Sequence, residues 1–326
     1  MPDRCVHFFG QVFAREMEPA SRLRAVARRS VRGVCVLVLA LAASFLTGSV
    51  AGGRKGRLLI VGGGPLPERI IDRFVEISGG SGRAFIAIFP QASEYKDAGI
   101  ELAKDFERRG ARAKRVLVTR AEADRADAAQ TLSGVTGVWF GGGDQSRLTA
   151  VLAGTRMETA IHELYENGAA VGGTSAGAAV MSASMITGDE RFPGGSRASS
   201  VEAGPSVTIA RGNVVLEEGL AFLPGAIVDQ HFVRRRRHNR LISAVLESPE
   251  RLGVGIDEST ALEVDPDGCW RVLGESVAVI YDARRATVGA EDGGLPRAAD
   301  IHVHVLPAGG WFDPSTSEVR LAPPLK

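Results

Sequence analysis

Cysteine is nearly absent from this chain, with three in 326 residues. Two of them, Cys5 and Cys35, fall in a basic and apolar N-terminal tract, so a protein that loses that tract keeps Cys269 alone. A single thiol closes no internal disulfide, and stability must come from a packed core. An excess of either charge is missing as well: 39 Lys and Arg face 38 Asp and Glu. No global field therefore draws the chain to nucleic acid or to an anionic membrane surface. Aromatic residues are sparse at 6% while glycine reaches 40, a balance that suits an α/β protein with many tight turns. The length admits one or two domains with a large buried core.

What is present begins with the N-terminal tract. Arg22, Arg24, Arg28, Arg29 and Arg32 precede an apolar run over 34–46, and Gly48-Ser49-Val50-Ala51 follows with small residues at both positions of a cleavage site. This is the pattern of a secretory signal peptide cleaved after Ala51. The run is short for a transmembrane helix, and an uncleaved N-terminal membrane anchor is the alternative. The basic segment ahead of it is long, which makes Met17 a candidate start. The expected location is secreted or periplasmic, with 1–51 as leader and 52–326 as a single domain, since no repeat or linker interrupts the latter.

From Arg57 onward, short apolar runs alternate with amphipathic stretches. Strands are predicted over Leu58–Val61, 84–89, 115–118, Gly137–Phe140 and 169–172. Helices are predicted through Ile70, Ile71, Phe74 and Val75, over 97–109 and over 121–132. Continuously apolar strands separated by helices imply an α/β fold with a mostly parallel sheet flanked by helices, whose ligands bind beyond the carboxyl ends of the strands. After Met181 the alternation stops. Residues 189–206, rich in Gly, Ser and Pro, read as a long surface loop or lid, and 276–281 and 301–306 as strands without intervening helices.

The pentapeptide Gly173-Thr174-Ser175-Ala176-Gly177 follows the apolar Ala169-Ala170-Val171 and reads as a strand-to-helix turn that presents a nucleophile. The amide of Ala176 then stands at a helix N-terminus, where it can donate to an oxyanion. A plain tight turn is the competing reading. A serine nucleophile needs a base within hydrogen-bond reach and a group that orients the base. His162 lies in a helical stretch and His238 follows an arginine run, so both read as surface residues. His302 and His304 share a strand face but lack a third metal ligand. His231 is different, because an apolar strand over 226–228 ends abruptly in Asp229-Gln230-His231. Asp257 and Glu258 end a second apolar run, and each fits either an orienting carboxylate or an ordinary turn residue. Gly141-Gly142-Gly143-Asp144-Gln145 reads either as a glycine turn with an Asp helix cap or as a loop whose amides face the crevice of Ser175. The bare triple glycine Gly62-Gly63-Gly64 lacks the spacing of a dinucleotide fingerprint.

Four blocks in order carry a resemblance: Gly-Gly-Gly-Asp-Gln at 141–145, Gly-Thr-Ser-Ala-Gly-Ala at 173–178, Asp-Gln-His-Phe with spaced arginines over 229–241, and Gly-Ile-Asp-Glu-Ser-Thr-Ala at 255–261. Together they resemble the cyanophycinase branch of the S51 serine peptidases, from about Gly56 to beyond Leu262. The resemblance implies a class I glutamine amidotransferase-like, flavodoxin-like fold, no metal and no cofactor. It implies Ser175 as nucleophile, His231 as general base then acid, and Glu258 as orienting carboxylate, with the amides of Ala176 and Gly143 at the oxyanion. The order Ser, His, acid also argues against an α/β-hydrolase, in which the acid precedes the histidine. The family pattern points to Arg235, Arg237 and Arg240 within the run that begins at Arg234 as substrate-binding residues, and Gln145, Asp229 and Gln230, with Asp144, are candidates to receive the substrate's guanidinium or amides. The implied substrate is cyanophycin, a poly-aspartate with arginine on each β-carboxyl, or a related aspartyl peptide, and the implied assembly is a homodimer. Alternatives are an S51 peptidase for short Asp-X peptides and a non-catalytic binder of acidic polymers.

Overall fold

The computed structural model of the protein describes residues 54–191, 197–199, 208–289 and 296–321. The predicted leader and much of the expected 189–206 loop lie outside these residues. The first half alternates as the sequence implies: β1 (Leu58–Val61), α1 (Glu68–Ile77), β2 (Phe85–Phe89), α2 (Ile100–Arg108), β3 (Arg112–Arg115), α3 (Arg120–Ala123), β4 (Gly137–Phe140), α4 (Gln145–Leu152), α5 (Arg156–Glu166), β5 (Ala170–Thr174) and α6 (Ala176–Ala179). Strands β1, β5, β4, β2 and β3 lie side by side in that order, all parallel. Both faces of such strands are covered, which is why β1 and β4 are apolar and buried at every position.

Beyond α6 the chain forms β6 (Ser184–Arg191), β7 (Arg197–Ser199), β8 (Val214–Glu218), β9 (Ala226–Gln230), α7 (His238–Glu247), β10 (Leu252–Ile256), β11 (Thr260–Val264), β12 (Trp270–Gly274), β13 (Val277–Asp282), β14 (Thr287–Gly289), β15 (Arg297–Ala299), β16 (His302–Pro307), β17 (Trp311–Asp313) and β18 (Glu318–Arg320). Antiparallel β11, β12, β17 and β18 extend the parallel sheet on the β1 side to nine strands. A second sheet of four strands runs β16, β13, β10, β9, with β9 and β10 parallel across α7.

Three apolar clusters hold these layers. On one face of the large sheet, α1 and α2 cover Trp139, which packs edge-on to Phe74 at 4.7 Å and to Phe106 at 5.9 Å. Each such aromatic pair contributes about 0.5–1.5 kcal/mol beyond area burial. The opposite face takes α4, α5, α6 and the inner face of the second sheet, so Ile60, Val138 and Val171 share a core with Val228, Val254 and Ile256. The outer face of the second sheet is closed by Leu241, Ala244 and Val245 of α7.

Three expectations shift. The third strand falls on Arg112–Arg115 rather than 115–118, because an edge strand need not be apolar: Arg112 and Lys114 lie over the Phe85 ring at 4.1 and 4.8 Å. The helix expected over 121–132 divides into α3, capped by a Thr119/Glu122 box, and a separate 3₁₀ turn over Ala128–Leu132. The expected loop over 189–206 is partly hairpin, since β6 continues to Arg191 and pairs with β7 and β8.

Candidate active site

Parallel pairing decides where the chemistry meets. Val61 lies opposite Thr174, so β1 and β5 release Gly62 and Ser175 at one edge. Gln230 lies opposite Ile256, so β9 and β10 release His231 and Asp257 at one edge of the other sheet. Main-chain bonds join the two edges: the His231 amide donates to Gly62 O at 2.6 Å and the Ser259 amide to Gly63 O at 2.9 Å. Ser175 sits at φ 54°, ψ −110°, with its amide on Val61 O at 3.0 Å and its carbonyl taking the amides of Ala178 and Ala179 as α6 begins. A non-glycine residue held there stores about 1–3 kcal/mol, and the buried strands on either side maintain it.

The side chains of three elements then line up. Ser175 Oγ is 2.8 Å from His231 Nε2, and His231 Nδ1 is 2.7 Å from Glu258 Oε1. Burial lowers the imidazole pKa from its ordinary value, and the cations of Arg235 and Arg237 push the same way, against the hydrogen bond and charge of Glu258. The result is an imidazole that is neutral at neutral pH and ready to accept a proton. Between the two acids left open by the sequence, the geometry separates the roles. Asp257 is turned away, taking the Arg234 amide at 2.9 Å and the Ser276 hydroxyl at 2.7 Å, and so anchors the turn after His231.

Gly143 has φ 139° and lies against the main chain of Ala92, where any side chain would collide. Its neighbour Gly142 approaches Ser175, with 3.5 Å between the place of a Cβ on Gly142 and the Ser175 Cβ. The loop therefore runs beside Ser175, as Ala176 does from the helix side. Asp144 caps α4 through Ser146 N at 2.8 Å.

The profile of peptidase family S51 matches residues 58–271. The chain belongs to peptidase family S51. It is a serine peptidase, 36% identical over 287 residues to a cyanophycinase of Synechococcus elongatus, with 84% of each chain covered. It is 34% identical over 278 residues to a cyanophycinase of Geminocystis herdmanii, covering 81% of this chain and 96% of that one. The crystal structure of a peptidase from an acI-B1 actinobacterium matches with a TM-score of 0.57 at 21% identity, over 80% of this chain and 98% of that chain, a likeness of fold.

In this S51 peptidase several residues expected at the substrate are committed elsewhere. Asp229 is fully buried and takes a two-pronged contact from Arg240, Nε to Oδ2 at 2.8 Å and Nη2 to Oδ1, with Arg240 only 1% exposed. Arg237, also buried, donates to Gln230 O at 2.8 Å and stands 3.6 Å from Asp229. These residues bind the start of α7 to β9. Gln145 is buried and spends its amide on the carbonyls of Ile186 and Thr187, fastening α4 to β6. Arg235 remains exposed near His231, and Gln230 is buried with Oε1 unpartnered among the described residues. His162 and His238 are half-buried and partnered: the first bonds Leu220 O at 2.8 Å and stacks on Phe222, and the second bonds the Tyr281 hydroxyl at 2.7 Å. Among the described residues no three of His, Cys, Asp and Glu gather as a metal site.

Sequence reasoning missed the role of the triple glycine. A Cβ on Gly63 (φ 99°) would stand 2.5 Å from His231 Nε2, and one on Gly64 (φ 71°) would stand 2.8 Å from the Glu258 Cβ. The glycines form the floor on which the His231 and Glu258 side chains rest. The signal was there in three consecutive glycines at the carboxyl end of an apolar strand.

Proposed function

We propose that this S51 peptidase is an exported exopeptidase that hydrolyses cyanophycin, or a related aspartyl polymer, to β-Asp-Arg dipeptides. The observation that carries the reading is the linked row of Ser175 Oγ, His231 and Glu258 at 2.8 and 2.7 Å. The identity to cyanophycinases supports the choice of substrate. Ser175 Oγ attacks the backbone carbonyl carbon while His231 Nε2 takes its proton, and the amides of Ala176 and Gly143 hold the oxyanion. Collapse breaks the C–N bond as His231 returns the proton to the leaving nitrogen. Water, deprotonated by the same imidazole, then cleaves the acyl-enzyme and frees Ser175. Glu258 keeps the proton on Nδ1 and stabilises the imidazolium.

Each cyanophycin branch ends in a free carboxylate, and exposed Arg235 offers a guanidinium fork to it. Gln230, next in the chain to His231, offers its unpartnered oxygen to a donor on the substrate. Export rests on the leader pattern over 1–51. Purified protein incubated with cyanophycin is expected to release β-Asp-Arg, read by mass, and Ser175→Ala is expected to release none. Equal turnover by Ser175→Ala would end the assignment. Cleavage of free Asp-X peptides with the polymer untouched would replace the substrate. N-terminal sequencing of the mature protein tests cleavage after Ala51, and its hydrodynamic size tests the homodimer.

A further inference from the structure

The loop that follows β2 is pinned on several sides. Ala92 O accepts the Asp144 amide at 2.9 Å, Gln91 Nε2 donates to Val116 O at 2.7 Å, Arg115 donates to Lys96 O, and Glu94 pairs with Arg147 at 2.5 Å. A braced main chain nonetheless displays Tyr95 at 78% exposure, whereas the other tyrosines, Tyr165 and Tyr281, are buried. Leu117, after β3, is 61% exposed. Both residues leave the carboxyl edge of the parallel sheet, the edge that carries Ser175, and the Gly143 loop bridges Ser175 to Ala92. The Tyr95 ring thus faces solvent on the edge that carries the site, where a ligand can reach it.

Charges of both signs neighbour Tyr95 in the chain: Glu94, Lys96 and Asp97 are exposed, and Arg147 pairs with Glu94. A polymer whose every branch carries a guanidinium and a carboxylate matches both signs and can lay the guanidinium on a tyrosine face. The exits of β5 and β2 lie two strand intervals apart, about 10 Å, or about three residues of extended chain.

We propose that Tyr95, beside the Glu94–Arg147 pair, forms a distal subsite that stacks an arginine-bearing branch away from the scissile bond of the polymer. The inference rests on the cyanophycin reading given above and adds a length preference to it. The subsite holds the polymer and takes no part in bond cleavage, so it acts on KM for long substrate alone.

The test compares the full-length protein with Tyr95→Ala and Tyr95→Phe on two substrates, soluble cyanophycin and its shortest cleavable fragment of two β-Asp-Arg units. Tyr95→Ala is expected to raise KM for the polymer about 2–5-fold with kcat unchanged, the loss of one exposed cation–π contact, and to leave the short fragment unaffected. Tyr95→Phe keeps a ring and is expected to match the parent. An unchanged polymer KM in Tyr95→Ala, or equal effects on both substrates, overturns the subsite. If the parent cleaves aspartyl dipeptides but neither cyanophycin substrate, the substrate reading falls and takes the subsite with it. If the parent cleaves the polymer and only the Tyr95 comparison fails, the substrate reading stands without the subsite.

Discussion

Replacing Gly63 by alanine tests the site through its floor. A Cβ there would stand 2.5 Å from His231 Nε2, the atom that faces Ser175 Oγ, and ordinary contact begins near 3.4 Å. The imidazole must therefore recede, and it cannot recede freely, because its amide is bound to Gly62 O and its Nδ1 to Glu258. A displacement approaching 1 Å at the proton-accepting atom costs about 100-fold in kcat. The positive φ of 99° adds about 1–3 kcal/mol of backbone strain, which lowers stability without touching chemistry. Gly268→Ala separates the two effects. Gly268 has a similar φ of 89° in the turn between β11 and β12, with nothing within 4 Å of the place of its Cβ. Both variants are expected to lose comparable stability in urea titrations, and only Gly63→Ala is expected to lose about 100-fold in kcat on cyanophycin or a chromogenic aspartyl peptide. Parental kcat in Gly63→Ala, or an equal loss in Gly268→Ala, would refute the argument that the glycine serves the imidazole.

Other outcomes follow from the same geometry. Glu258→Gln keeps the shape but no longer holds the Nδ1 proton as an acceptor anion, and kcat is expected to fall about 10,000-fold, measured by single-turnover assay. Arg235→Ala removes a cation that holds the His231 pKa down, so the imidazolium becomes easier to form and the acid limb of kcat/KM moves to higher pH. An unmoved limb would remove Arg235 from the electrostatics of the base. Asp229→Asn leaves the buried Arg240 guanidinium without its counter-charge and is expected to cost about 3–5 kcal/mol in urea unfolding. Unchanged stability with a raised KM would instead return Asp229 to the substrate.

The parallel half of the fold was readable because its strands are apolar at every position, as in β1 and β4, and because glycines mark their exits. Ser175 was readable for the same reason, its elbow being a local pattern, and His231 because polar residues break an apolar strand. What the sequence left open is where a polar side chain points. Asp229 and Arg240 have the composition of a substrate site yet meet inside the protein, since β9 turns Asp229 toward α7 and a helical spacing brings Arg240 down on it. Asp257 and Glu258 are adjacent, so only the fold distinguishes the carboxylate that turns to Ser276 from the one that turns to His231. Gln145 belongs to a family motif, and its tie to β6 depends on a hairpin that a glycine-rich stretch concealed.

Ser175 stands at the end of β5 in the nine-stranded sheet, His231 at the end of β9 in the four-stranded one, and Glu258 in the turn that leads from β10 to β11 between them. Catalysis by the proposed route therefore reads out the docking of two sheets. The shared core of Ile60, Val138 and Val171 against Val228, Val254 and Ile256 sets the Ser175–His231 distance as surely as the residues themselves do. A cavity opened deep in that seam, by Val254→Ala for example, lies away from every reacting atom and still loosens the register between donor and acceptor. Turnover in such variants becomes a ruler for the interior, sensitive to sub-ångström slippage that leaves the secondary structure intact.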